Sequence, residues 1–177
     1  MSYNEASNLI LEGTGSLVFD HYAKVGYACV SPRTNGQLAR EYIKSLGYSP
    51  VLFEANYAGS QVYHTNVVMA VKEDCIVACL EVMDDAGKNH FRNLDRPVLE
   101  ITADQMNQFA GNMLEVAAED GSSVLVMSKV AHASLNSDQL ESLSKNSKIC
   151  VLPLDLIEAV GGGSARCMIA ENFLPKK

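Results

Sequence analysis

The order of apolar and polar positions along the chain repeats. Residues 16–20 and 25–30 alternate as two short strands across the turn His21-Tyr22-Ala23-Lys24, the pattern of a hairpin. The loop 31–35 can cap a helix through Thr34 or Asn35. Leu38, Tyr42 and Leu46 (or Ala39 and Ile43) then recur with helical spacing until Gly47, and 50–54 reads as a third strand. The same order returns twice. Residues 62–71 and 75–82 form a second hairpin pattern, 84–97 are a charged stretch of loop or helix, and 98–102 are extended. Thr102 caps a short helix over 103–109. Residues 112–116 and 123–127 pair across Glu119-Asp120-Gly121, and helices over 129–135 and 139–146 follow, the latter capped within 136–138. Strand 149–153, a helical turn at 155–159 and a short strand at 165–169 close the chain.

About three copies of a strand–strand–helix–strand unit are therefore expected, an α/β fold. A doubly wound sheet competes, but hairpin signals at the start of each unit argue against an all-parallel sheet. At 177 residues the chain suits one domain, or slightly more. With 47% hydrophobic and 20% charged residues it is globular in composition. A net charge of −7 argues against broad nucleic-acid binding. No run is long enough to span a membrane and no signal peptide is read, so a cytoplasmic protein is expected. Five cysteines with no CxxC fit a reduced compartment, and the four histidines do not sit at zinc-ligand spacing from any cysteine pair. No metal or cofactor is expected.

The chemistry centres on Gly161-Gly162-Gly163-Ser164-Ala165-Arg166-Cys167-Met168. Glycines admit positive φ and close approach, so Cys167 can be held at a fixed place on a cavity wall, and Arg166 beside it could help hold a thiolate. The alternative is a small buried hydrophobe, as most free cysteines are. His64, ahead of an apolar strand, suits a general base or a histidine satisfied by backbone. Glu12, flanked by glycine, suits an orienting carboxylate or an exposed loop acid. Asn112 follows Gly111 and reads as a turn residue.

Taken in order, Leu11-Glu12-Gly13-Thr14-Gly15-Ser16, Ser31-Pro32-Arg33-Thr34-Asn35, His64-Thr65-Asn66, Gly111-Asn112-Met113-Leu114 and the Gly161–Cys167 stretch resemble the pentein superfamily. That superfamily includes arginine deiminases, dimethylarginine dimethylaminohydrolases and amidinotransferases, and the chain is most similar to the citrulline-utilisation hydrolase type. The resemblance implies a propeller of strand–strand–helix–strand modules, here a partial one forming a single domain over 1–177. It implies Cys167 as nucleophile, His64 as general acid and base, and Glu12 as a supporting carboxylate. Asn66, Asn112 and Arg166 are implied at the substrate. The ligand implied is a small guanidino or ureido compound, hydrolysed or, in an amidinotransferase, passed to an acceptor. Where the family's deiminases carry Asp two residues after the histidine, this chain carries Asn66, which loses charge-assisted bonds to a cation and favours a neutral ureido group. The chain begins almost at the Leu-Glu-Gly motif, so about two of the five modules are expected to be missing. Self-association or a separate N-terminal partner would cover the gap. A truncated, non-catalytic binding module is the competing reading.

Overall fold

The computed structural model describes residues 9–171. Its strands form three three-stranded sheets and one small ribbon. In the first sheet a helical turn, α1 (Gly13–Ser16), leads into β1 (Leu17–Asp20), which pairs antiparallel with β2 (Val25–Cys29). Helix α2 (Gly36–Ser45) then returns the chain so that β3 (Ser49–Phe53) lies parallel to β2. The ribbon β4 (Asn56–Tyr57) and β5 (Ser60–Gln61) follows. The second unit repeats the first: turn α3 (Thr65–Val68), β6 (Met69–Val71), antiparallel β7 (Ile76–Ala78), helix α4 (Asp85–Arg92), parallel β8 (Val98–Glu100). In the third, α5 (Ala103–Asn107) precedes β9 (Leu114–Ala117), antiparallel β10 (Ser123–Ser128), helices α6 (Lys129–Ser134) and α7 (Ser137–Ser144), and parallel β11 (Lys148–Leu152). Helix α8 (Asp155–Gly161) and a 3-10 turn over Ala165–Met168 end the described chain. The expected order of strand, strand, helix and strand is present three times.

Local chemistry explains the helices. Asn35 Oδ1 accepts the Leu38 N–H at 3.0 Å and starts α2. The buried face of α2 carries Ala39 and Ile43. Ile43 fits against β2 because Gly26 has no side chain; a Cβ there would lie 2.7 Å from an Ile43 methyl. Thr102 and Asn136 each form a capping box, with Gln105 and Gln139. These two glutamines also hydrogen-bond to each other at 2.7 Å, tying α5 to α7.

One apolar core joins the units. Val18 and Tyr27 of the first, Met69 and Val77 of the second and Leu125 and Met127 of the third belong to a single buried cluster. Charges join them as well. Lys72, 1% exposed, bonds Asp74 at 2.7 Å and lies 3.4 Å from Glu115. Glu115 accepts from Ser123 and Ser147, and Asp74 from Asn146. Arg96 bonds the buried Asp20 and the Lys72 carbonyl. The network runs from β1 through the second unit to β9 and β10, beyond the ends of the strands that α1 and α3 lead into.

Two expectations need correction, and one left open is resolved. Residues 62–71 are not one strand: Thr65–Val68 make a helical turn and only Met69–Val71 join the sheet. The Thr65 hydroxyl draws the backbone into that turn by bonding Ser16 O and the Cys29 N–H. Residues 165–169 are not a strand either. They wind as a 3-10 turn, because the Arg166 N–H is taken by Asn112 and the Cys167 N–H by Ser164 O. The charged stretch contains a real helix, α4, capped by Asp84 and seated by Phe91, whose ring stacks on Tyr27 at 5.4 Å. Among the described residues no helix is long and apolar enough to cross a membrane.

Candidate active site

Each unit begins with a turn that delivers a polar residue to the same end of the molecule. Glu12 precedes α1, His64 precedes α3, and Asn112 stands two residues before β9. Repetition of the backbone unit thus brings together side chains far apart in sequence.

The Glu12 carboxylate lies 2.6 Å from His64 Nε2. A buried hydroxyl cluster sets this distance. Ser16 Oγ accepts the Glu12 N–H at 2.8 Å and the Thr34 hydroxyl at 2.8 Å, and donates to Arg33 O. Thr65 Oγ1 donates to Ser16 O at 2.5 Å, which ties the turn carrying His64 to the turn carrying Glu12. Ser16, Thr34 and Thr65 are all fully buried, so these bonds resist competition from water. The imidazole lies against Gly15: a Cβ there would sit 2.8 Å from ring atoms. The Tyr63 ring meets His64 edge-on at 4.8 Å, and the Arg33 guanidinium covers Tyr63 at 4.7 Å and approaches Glu12 at 3.8 Å.

The second half of the site is the sulfur of Cys167. Gly162, at φ +67°, ends α8 in the left-handed conformation. The Ser164 hydroxyl, fully buried, donates to Glu158 at 2.6 Å and anchors the turn that follows. Asn112 Nδ2 lies 3.2 Å from Cys167 Sγ, and Asn66 Nδ2 lies 3.8 Å from it. Asn112 also donates to Asn66 O at 2.8 Å and accepts the Arg166 N–H at 3.1 Å. This close packing needs Gly111, where a Cβ would fall 2.2 Å from Val67 O. The Asn66 Oδ1 is buried and has no hydrogen-bond partner.

Cys167 differs from the three buried thiols, Cys29, Cys75 and Cys79. Burial pushes Cys29 up to about 12 and Cys75 and Cys79 up to about 11, so these three are inert at neutral pH. Cys167 is exposed. The alternative reading of Cys167 as a sealed hydrophobe therefore fails.

Of the six residues singled out in the sequence, Glu12 and His64 meet as a pair, and Asn66, Asn112 and Cys167 meet as a group. The His64-Thr65-Asn66 segment spans both. The Arg166 guanidinium turns instead toward Ile169 O at 3.1 Å and Glu171 at 3.3 Å, fastening the segment after the turn. Sequence reasoning missed Ser16, Thr34 and Thr65, whose only signal was small hydroxyl side chains within the segments 11–16, 31–35 and 64–66. Among the described residues no group of three or more His, Cys, Asp or Glu side chains is placed to hold a metal ion. A cavity of about 700 Å³ runs beside β1, β6 and β9, lined by Phe19, Tyr22, Val71, Glu115 and Arg166 among others.

Comparisons with known proteins report on family and fold. The family model described as eukaryotic N,N dimethylarginine dimethylhydrolase matches residues 1–174. No curated protein matches the sequence. Among solved structures, apo ArgZ, an arginine dihydrolase of the ornithine-ammonia cycle in cyanobacteria, superposes with a TM-score of 0.72 at 18% identity, covering 96% of this chain and 26% of that one. The substrate-bound N-terminal domain of a mutant of the same cyanobacterial protein gives 0.68 at 19% identity, covering 90% and 55%. SxtG, an amidinotransferase from Microseira wollei, gives 0.58 at 14% identity, covering 86% and 42%. The chain spans only part of each of these proteins, and at these identities the likeness is one of fold.

Proposed function

The chain belongs to the N,N dimethylarginine dimethylhydrolase family, within the pentein superfamily, and from that membership we propose that it is a cysteine-dependent hydrolase of C–N bonds in guanidino or ureido compounds. The observation that carries the proposal is the two-residue span from His64, paired with Glu12, to Asn66, whose amide faces the exposed Cys167 sulfur. A base and a nucleophile on adjoining turns, with the base oriented by a third group, are the parts a thiol hydrolase needs.

In this reading the Cys167 thiolate attacks the planar carbon of the guanidino group and forms an S–C bond. The C–N bond to the departing amine then breaks, and the amine leaves with a proton supplied by His64. Glu12 holds Nε2–H, so Nδ1 is the nitrogen that transfers protons. A water molecule then gives a proton back to His64 and attacks the carbon of the thiouronium intermediate. The S–C bond breaks, and a ureido compound and the free thiolate result. The unpartnered Asn66 Oδ1 is an acceptor for a substrate N–H. Being neutral, it binds a ureido group with less penalty than an aspartate would, and a guanidinium with less gain.

The three repeated units are read as successive blades of a partial propeller, with the cavity beside β1, β6 and β9 as its channel. Exposed Tyr22, Tyr42 and Leu46 of the first unit, and Leu156, Ile157 and Val160 of α8, suit association with a second copy or a partner chain. Sedimentation would report it.

The activity test is direct. The full chain is incubated with arginine, methylated arginines and citrulline, and released amine and product are followed. Turnover that vanishes in Cys167→Ser supports the assignment. No turnover of any of these, with no covalent adduct on Cys167 from a haloacetamidine, overturns it.

A further inference from the structure

The contacts of the Cys167 sulfur reach beyond the catalytic assignment. We propose that Asn112, assisted by Asn66, is the group that stabilises the Cys167 thiolate, so that the sulfur is held by neutral amide donors rather than by the neighbouring arginine. The inference rests on Cys167 being the reactive thiol.

The orientation of the Asn112 amide is set by its backbone partners. Its Oδ1 faces an N–H, that of Arg166 at 3.1 Å, and its Nδ2 faces a carbonyl, that of Asn66 at 2.8 Å. Exchanging the two ends would set donor against donor and acceptor against acceptor, so the NH₂ group is the end that lies 3.2 Å from Sγ. Asn112 is 2% exposed, so this donor is not rivalled by solvent. The sulfur reaches Asn112 Oδ1 at 3.6 Å when it donates as a thiol. Of the two ends of the amide, the donor lies nearer the sulfur. A hydrogen bond given to the charged form favours that form. Asn66 Nδ2, 1% exposed and 3.8 Å from Sγ, adds a second donor.

Arg166, the adjacent cation, does not fill this role. Its guanidinium bonds Ile169 O and Glu171. What Arg166 contributes to the sulfur's surroundings is its backbone N–H, which pins Asn112.

The test is the pH dependence of Cys167 alkylation by iodoacetamide, read by mass spectrometry of the Cys167 peptide in the full-length protein. It needs no turnover, so its outcome is independent of which substrate the enzyme accepts, or whether it accepts one. Asn112→Asp keeps an acceptor for the Arg166 N–H, removes the donor to sulfur and adds a like charge. It is expected to move the alkylation profile upward by about one pH unit or more, so that the rate at pH 7 falls roughly tenfold. Asn66→Ala is expected to move it in the same direction by less. Arg166→Lys, which keeps the backbone donor, is expected to leave it in place. Circular dichroism establishes that each variant is folded. If Asn112→Asp does not fold, Asn66→Ala decides. A profile unchanged in the folded asparagine variants, or one displaced by Arg166→Lys alone, overturns the proposal.

Discussion

Glu12 and His64 stand 52 positions apart, yet a carboxylate oxygen of one lies 2.6 Å from Nε2 of the other. The pair forms because two short turns, each opening a repeat, are bolted together by the Thr65 hydroxyl on Ser16 O. Replacing the carboxylate by an amide tests what the pair does. Glu12→Gln is expected to lower kcat roughly 100-fold, because the imidazolium loses its counter-charge. The melting temperature is expected to stay nearly unchanged, because the pair is partly exposed. A parallel fall in melting temperature would mark Glu12 as structural.

Gly15 is the floor on which the imidazole rests. Gly15→Ala places a methyl 2.8 Å from ring atoms, and the ring must swing away from Glu12. Alanine suits a helical turn better than glycine by about 1 kcal/mol, so stability is expected to hold while kcat falls on the order of tenfold or more. Steady-state kinetics beside a thermal melt separates the two.

Thr65 links both halves of the site. Thr65→Val keeps the shape and removes the hydroxyl, leaving Ser16 O and the Cys29 N–H without their partner. A loss of about 2 kcal/mol is expected in urea unfolding, together with weaker activity. Thr65→Ser, which restores the hydroxyl, is expected to recover most of both.

The ionic network at the opposite strand ends makes stability depend on pH. Burial by itself raises Glu115 and Asp74, but hydrogen bonds outweigh it and both carboxyls lie below their ordinary values. Ser123, Ser147 and the Glu73 N–H hold Glu115 down; Lys72 and Asn146 hold Asp74. A depressed folded value means that the stabilisation is complete above the ordinary values of 4.5 and 3.8 and is lost as pH falls through the folded ones. Unfolding free energy is therefore expected to decline on the acid side, below about pH 4.5. Lys72→Met is expected to cost about 3 kcal/mol at pH 7, because Glu115 stays half-buried without its cation. The acid decline in that variant is expected to be shallower, because Glu115 and Asp74 both lose a cation that holds them down. Urea midpoints across pH 3–8 measure both.

Much of the architecture lies in short-range pattern. The strand–strand–helix–strand order, and the caps at Asn35, Thr102 and Asn136, follow from residues within four positions of one another, and neighbouring residues act alike in any globular context. The turn over Thr65–Val68 does not follow in that way. Its apolar run fits a strand equally well, and the choice is made by a hydroxyl reaching a carbonyl 49 positions away. Helix α4 was hidden for a similar reason: Asp84 caps it, but Phe91 earns its place only against Tyr27 and Phe53 of another unit.

The candidate site divides along the same line. Motif order alone singled out Cys167, His64 and Glu12, because glycine-rich turns and the side chains they carry are written in adjacent letters. Which of the five thiols are buried, which amide end faces the sulfur, and where the Arg166 guanidinium goes are settled by packing between repeats. Such contacts join positions as far apart as 112 and 167, and no local window of sequence encodes the distance between them.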